Sequence, residues 1–323
     1  MPRTVVRQFN ARNALPIGPS SRLLDSRTLT PLNRQSRQSA PSFPSDSNEG
    51  EGAMRCHYLS DLHLESQDFG MALPKGDVLI IAGDLCHARC LDPARMDRYS
   101  VEQRGRVMRV IDEAVRKFAH VLLIAGNHEH YDGVFEDTVG LMRRHLPAVT
   151  VLDNEVAEID CVRFFGATLW TDLGRQSEAE ITALRKGIGE YFFVKTRDGK
   201  LDQPLARLKP ADTHRAHETA WARLRDVVKG EPRRQTVVIT HHAPSRVGLN
   251  PRFTGNGLDP AYASSLDDMI AAFDNVPVWV HGHTHVARTY RIGNTVVRSN
   301  ALGFAAKGGA APGFSVKAHF EIG

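Results

Sequence analysis

Asp61 and His63 stand one residue apart in Tyr58-Leu59-Ser60-Asp61-Leu62-His63-Leu64-Glu65, just after a short apolar run. On extended backbone, side chains two apart point to the same side. This carboxylate and imidazole are therefore expected to leave a strand end together and close on one cation. Mixed oxygen and nitrogen ligation suits a divalent ion such as Mn²⁺, Fe²⁺ or Zn²⁺. Four further stretches offer the same residue types: Asp84 after Gly83, Asn127 and His128 within Gly126-Asn127-His128-Glu129, the pair His241-His242, and His283 with His285 in His281-Gly282-His283-Thr284-His285. Singly, Asp84 could be a turn residue, His241-His242 could close off a sheet, and the last histidines could be structural. Their recurrence, each after an apolar run, argues for one shared site. Gly282 is expected to let the chain turn tightly and aim its neighbouring imidazoles inward.

Such a site needs strands that end together. Val78-Leu79-Ile80-Ile81-Ala82 and Val121-Leu122-Leu123-Ile124-Ala125 are continuous apolar runs, each closing on glycine and a polar residue. Runs of this kind read as strands buried on both faces. Thr236-Val237-Val238-Ile239-Thr240 precedes His241, and Val276-Pro277-Val278-Trp279-Val280 precedes the final histidines. Val101, Val107, Val110, Ile111, Ala114, Val115 and Phe118 recur among charges as an amphipathic helix over about 100–119, and a second helix is expected near 134–146. Apolar runs alternating with amphipathic stretches indicate an α/β class, in which ligands gather beyond the carboxyl ends of the strands. The segment from Val149 to Trp170 is expected to form an antiparallel meander, with short strands at 150–152, 156–159 and 161–166. Residues 172–230 are polar and helical, with Ile188, Tyr191, Phe192 and Phe193 in one patch. They read as an insertion lying over the site or as an ordinary outer helical layer. Final strands are expected near 295–298 and 314–322.

Residues 1–53 differ in kind, being rich in Pro, Ser, Asn and Arg without a sustained apolar period. They read as a disordered extension, as a transit segment, or as sequence upstream of a start at Met54. The folded domain is expected over 54–323. Its composition, 41% hydrophobic in the whole chain of 323 residues, suffices to bury a core. The formal charge of +4 is partly owed to the arginines of the head and argues for neither a nucleic-acid nor a membrane partner. Cys56, Cys86, Cys90 and Cys161 make no paired framework of the secreted kind, and free thiols in a reducing, cytoplasmic compartment are expected. No apolar run approaches the roughly 18 residues of a membrane span.

Asp-x-His, Gly-Asp, Gly-Asn-His-Glu, a histidine after a strand, and Gly-His-x-His follow one another in that order from Asp61 to His285. As a set they resemble the calcineurin-like metallophosphoesterase superfamily, and the resemblance covers nearly the whole chain after Met54. Leu169-Trp170-Thr171-Asp172 and Asn300-Ala301-Leu302-Gly303-Phe304 look like a little-characterised bacterial branch, from which Ala301 departs where proline is expected. The resemblance implies a four-layer α/β/β/α sandwich, two mixed β-sheets flanked by helices, with a two-metal site on the loops at one edge. It implies that Asp61, His63 and His285 bind one metal, Asn127, His241 and His283 the other, and that Asp84 bridges them. It places His128 beside the substrate as the catalytic residue. Asn127 and His242 are the further expected substrate contacts, and His281, His87 and Cys86 are expected to be structural or solvated. The implied cofactors are two divalent metal ions, Mn, Fe or Zn, with Mn favoured.

Two such ions about 3.5–4 Å apart can share a hydroxide and clamp phosphoryl oxygens for in-line attack, while an imidazole that holds a proton near neutral pH can serve the leaving alkoxide. The expected activity is hydrolysis of a small phosphorylated substrate, a diester or monoester in the first place. Two other readings stand beside it. A non-catalytic scaffold on the same fold is opposed by the complete ligand set, and a metal-dependent nuclease is opposed by the lack of a basic stripe.

Overall fold

The computed structural model describes residues 52–174, 177–197, 205–252, 254–305 and 310–323. The expected extension, residues 1–53, lies outside them apart from its last two residues. Two mixed sheets are flanked by helices. The chain runs β1 (Met54–Leu59), β2 (Gly76–Ile81), α1 (Arg98–Lys117), β3 (Phe118–Ile124), α2 (Thr138–His145) and β4 (Thr150–Leu152), then β5 (Glu155–Ile159) and β6 (Val162–Ala167). It continues through α3 (Glu178–Gly187), α4 (Glu190–Phe193), β7 (Lys195–Thr196), β8 (Ala206–Arg207) and α5 (Pro210–Gly230). The last part comprises β9 (Thr236–Thr240), α6 (Asp267–Ala271), β10 (Val278–His281), β11 (Arg288–Ile292), β12 (Thr295–Ser299) and β13 (His319–Ile322).

The first sheet has the order β13-β1-β2-β3-β4 and the second β11-β12-β10-β9-β6-β5. Strand alternation sorts the apolar runs between layers. Val78, Ile80, Leu122 and Ile124 meet Phe164, Val237, Ile239, Val278 and Val280 between the sheets. Leu79, Ile81, Val121 and Leu123 face Val107, Val110, Ile111 and Ala114 of α1. Val238 and Trp279 face Ala220, Leu224 and Ile270 of α5 and α6. Both faces of the central strands are buried, which is why their sequences are continuous rather than alternating.

α1 begins where the Asp97 carboxylate accepts from Ser100 N at 3.0 Å and Ser100 Oγ at 2.8 Å, a side-chain cap for otherwise unpaired amides. Its buried positions, Gln103, Val107, Val110, Ile111 and Ala114, follow the helical period.

The expected meander over 149–170 is corrected. β4 is parallel to β3 and closes the first sheet, because α2 is a crossover that returns the chain in the same direction. At Asn154, with φ of 57°, the chain passes to the second sheet. Only β5 and β6 form an antiparallel pair there, and β6 is parallel to β9. The last expected strand is shorter than 314–322, since Phe314 and Ala318 donate their amides into turns at Ala311 and Ser315.

Within 172–230, α5 lies on the outer face of the second sheet. Leu173, Leu184, Ile188, Tyr191 and Val194 form a separate small core with Leu208 and Ala261. Among the described residues, no helix is long and apolar enough to cross a membrane.

Candidate metal centre

The segments beyond β1 and β2, and likewise those beyond β9 and β10, are laced together by main-chain bonds. Asp61 N donates to Gly83 O at 3.0 Å, His63 N to Asp84 O at 3.0 Å, and Gly282 N to His241 O at 3.0 Å. β1 stops at Leu59, so Asp61 and His63 do not reach the site along extended backbone. Both are left-handed, with φ of 56° and 48°, as are Asp84 (55°), His283 (66°) and His285 (47°). This corrects the positional argument from the strand period. Backbone of this kind in non-glycine residues costs about 1–3 kcal/mol each and persists where the surroundings over-determine it.

Two glycines make room for the carboxylates. A Cβ on Gly126 would stand 2.2 Å from Asp84 Oδ1, and one on Gly282 would stand 2.7 Å from Asp61 Oδ2. Gly282 is thus needed for close approach rather than for an unusual turn.

Asp61, His63, Asp84 and His285 form one cluster of potential ligands, and Asp84, His241 and His283 another. In the first, His63 Nε2 lies 3.0 Å from His285 Nε2 and 3.8 Å from Asp84 Oδ2, with His285 Nε2 3.3 Å from Asp61 Oδ1. In the second, His241 Nε2 lies 2.9 Å from Asn127 Oδ1 and 3.3 Å from Asp84 Oδ1. Asp84 belongs to both.

The donor set fits divalent cations. His241 Nδ1 lies 2.8 Å from Ala82 O, so a neutral imidazole spends its N–H there. Nε2 is then a bare lone pair facing two further acceptors, Asn127 Oδ1 and Asp84 Oδ1. Either a proton or a cation must lie among three such atoms. Burial disfavours the proton, yet Asp84 and then Asp61 push His241 up to about 10, a measure of the negative potential there. His283 is held well below the usual imidazole range by burial and by His242 and His241, and so presents a neutral lone pair. Burial opposes the charge of Asp84, but His241 and His128 hold its carboxyl well below the carboxylate range. Nitrogen and oxygen donors without thiolate suit Mn, Fe or Zn.

Glu65 and Glu129 escaped the reading of the sequence as functional residues. Glu65 Oε1 meets His63 Nδ1 at 2.9 Å and His128 Nδ1 at 3.0 Å. Burial opposes its charge, but both imidazoles draw its carboxyl down to about 2. His128 is in turn pushed up to about 9 by Asp84 and Glu65 against the cost of burial. Glu129 accepts from the main-chain N–H groups of Asp84 (3.0 Å), Leu85 (2.6 Å), Cys86 (3.2 Å) and Gly126 (2.6 Å), tying the loop after β2 to that after β3. Burial and Asp84 push Glu129 up to about 7, while the four donors favour its anion. The available signals were the Asp-x-His-x-Glu spacing for Glu65 and the acid that closes Gly-Asn-His-Glu for Glu129.

A cavity of about 380 Å³ opens beside Asp84, Asn127, His128, His283 and His285, and Tyr131, Glu190, Tyr262 and Phe304 also line it. Three of these rings back imidazoles: Tyr131 stacks on His128 at 4.4 Å, Tyr262 on His283 at 4.8 Å, and Phe304 on His63 at 4.0 Å. His242, expected at the substrate, lies outside the lining. It is 1% exposed, with its ring 4.2 Å from His283 and its Nδ1 3.3 Å from Thr168 O. His281 is buried, its Nδ1 2.9 Å from Gly282 O, and His87 packs near Tyr99 with 3.2 Å between Nδ1 and the hydroxyl.

Residues 54–287 match the family described as calcineurin-like phosphoesterase. An uncharacterized protein, L509, of Acanthamoeba polyphaga mimivirus is 26% identical over 271 residues, which are 76% of this chain and 90% of that protein. The crystal structure of phosphopantetheinyl hydrolase from Mycobacterium tuberculosis matches with a TM-score of 0.56 and 17% identity, over 83% of this chain and 95% of that one, a likeness of fold. With its sequence matched over 54–287, the chain belongs to the calcineurin-like phosphoesterase family.

Proposed function

We propose that this chain hydrolyses small phosphate esters, diesters or monoesters, with two divalent ions as cofactors, manganese first among the candidates. Asp61, His63 and His285 would hold one ion, Asn127, His241 and His283 the other, with Asp84 shared. The observation that carries this reading is the place of Asp84, whose Oδ2 is 3.8 Å from His63 Nε2 and whose Oδ1 is 3.3 Å from His241 Nε2. Bound there, the ions would lower the pKa of a water towards neutrality and offset the charge of the phosphoryl oxygens.

The remaining work falls to the chain itself. In hydrolysis a water oxygen adds to phosphorus, the ester P–O bond breaks, and the departing alkoxide needs a proton. His128 is suited to give it. Glu65 fixes its Nδ1 and favours the imidazolium, which leaves Nε2 as the nitrogen free to serve the cavity. The stacked ring of Tyr131 keeps the imidazole from turning.

The test compares hydrolysis of bis-p-nitrophenyl phosphate and p-nitrophenyl phosphate by the Mn²⁺-reconstituted chain and its Asp84→Asn variant. Turnover that disappears in the variant, together with weaker metal retention, is the expected result. Equal activity in both proteins would remove the site from the reaction.

A further inference from the structure

Glu190 opens α4 and lines the cavity, yet is only 5% exposed. Other buried acids of the site are matched, Glu65 by two imidazoles and Glu129 by four amides. Among the described residues, the Glu190 carboxyl accepts no hydrogen bond from another residue; burial dominates and raises it, its own main-chain N–H and then the charges of His128 and His241 favour its anion, and Asp84 opposes it. A buried carboxyl that faces a cavity without a partner is costly unless something entering the cavity completes it.

Its surroundings indicate what that is. Tyr131 and Tyr262 line the same cavity. Burial raises both hydroxyls, and Glu190 is the next cause in each case, so its charge is felt at both rings. A Cβ on the preceding Gly189 would stand 2.7 Å from Tyr131 Oη, so the segment before Glu190 is seated directly on that ring. The described lining contains the carboxyls of Asp84, Glu190 and Asp259 and no lysine or arginine. Asp259 is already engaged by Gly255 N. A buried acid that lines one cavity with two tyrosine rings, and whose cationic neighbour His128 is bonded to Glu65 instead, attracts an organic cation through charge and through the ring faces.

We propose that Glu190, Tyr131 and Tyr262 form a subsite for an alkylammonium group on the substrate's non-phosphate arm, so that the preferred substrates are phosphate esters of amino alcohols. The proposal rests on the phosphate-ester reading above and adds the chemistry of the other end of the molecule. An ammonium entering the subsite pairs the carboxylate, whereas an alkyl arm of the same size leaves it uncompensated.

The experiment uses 2-aminoethylphosphonate and propylphosphonate, which differ by an ammonium in place of a methyl group and have a P–C bond that is not an ester. Each is titrated calorimetrically into the Mn²⁺-loaded full chain, with 3-aminopropylphosphonate and butylphosphonate as the longer pair. The aminated member of at least one pair should bind about tenfold more tightly or better, and Glu190→Gln should bring the affinities of that pair together. Equal affinities within both pairs in the unmodified chain overturn the subsite without recourse to any variant, as does a preference that survives Glu190→Gln in a protein of unchanged melting temperature. Failure to bind any of the four phosphonates would overturn the phosphate site along with it, so the two failures are distinct.

Discussion

Glu65 Oε1 lies 3.0 Å from His128 Nδ1 across 63 residues of chain. The same oxygen meets His63 Nδ1 at 2.9 Å, so one buried carboxylate orients both a potential metal ligand and the proposed proton donor. Glu65→Gln keeps the shape but cannot favour an imidazolium. Turnover should fall about 10- to 100-fold with bound metal also reduced, as for other partners of ligating histidines, and kcat should fall more than KM changes. A variant with full kcat and full metal content would show that Glu65 only fills space.

His128→Ala should separate chemistry from metal binding. Elemental analysis should find the metal retained, while turnover drops by about 10² to 10⁴. The loss should be larger for alkyl esters than for p-nitrophenyl esters, because nitrophenolate departs without a proton. Asp84 and Glu65 raise His128 against burial, and Glu65 holds its Nδ1 at 3.0 Å even where an ion offsets Asp84, so the imidazolium is favoured at neutral pH and its proton is lost as pH rises into the alkaline range. The rate on alkyl esters should decline over that range, and the variant should lack this decline.

Gly126→Ala would set a methyl group 2.2 Å from Asp84 Oδ1 and 2.6 Å from Asp84 N, in a place where the main chain leaves little freedom to yield. The shared carboxylate must then move, and the rise in melting temperature on adding Mn²⁺ should shrink or vanish. Gly140, inside α2 and with nothing within 4 Å of its missing Cβ, is the control. Gly140→Ala should stabilise the helix by up to about 1 kcal/mol and leave the metal-induced rise intact.

The apolar runs before Gly83, Gly126, His241 and His281 were legible because central strands covered on both sides carry an unbroken signal. The five blocks that the fold gathers were legible because acids, asparagine and histidines, costly to bury without a partner, recur directly after apolar runs. The way Asp61 and His63 come together was not, since left-handed backbone in non-glycine residues is imposed by tertiary contacts such as Asp61 N to Gly83 O. The place of β4 escaped too: three residues carry no signature of their sheet, which is decided by the α2 crossover and the turn at Asn154. Between His241 and His242 no local pattern could choose, because β9 ends at Thr240. The structure turns His241 towards Asp84 and His242 towards Thr168. The link from Glu65 to His128 joins two loops that only the folded sheet brings together.

His130 bears on acid stability. It is 4% exposed, stacked on Phe135 at 4.7 Å and tilted against Trp170 at 5.6 Å. Burial dominates its surroundings and lowers it to about 4 from the ordinary 6.5, so the folded chain holds it neutral. The unfolded chain takes up the proton near pH 6.5, whereas the folded one resists until about pH 4. Its contribution is therefore whole above pH 6.5 and is lost as pH falls towards 4, by roughly 3 kcal/mol in all. His130→Leu, of similar volume and without a titrating group, should flatten the dependence of the denaturation midpoint on pH between 6.5 and 4. If the variant and the parent chain lose stability in parallel across that interval, the acid sensitivity belongs to other groups and His130 is protonated in the fold as readily as outside it.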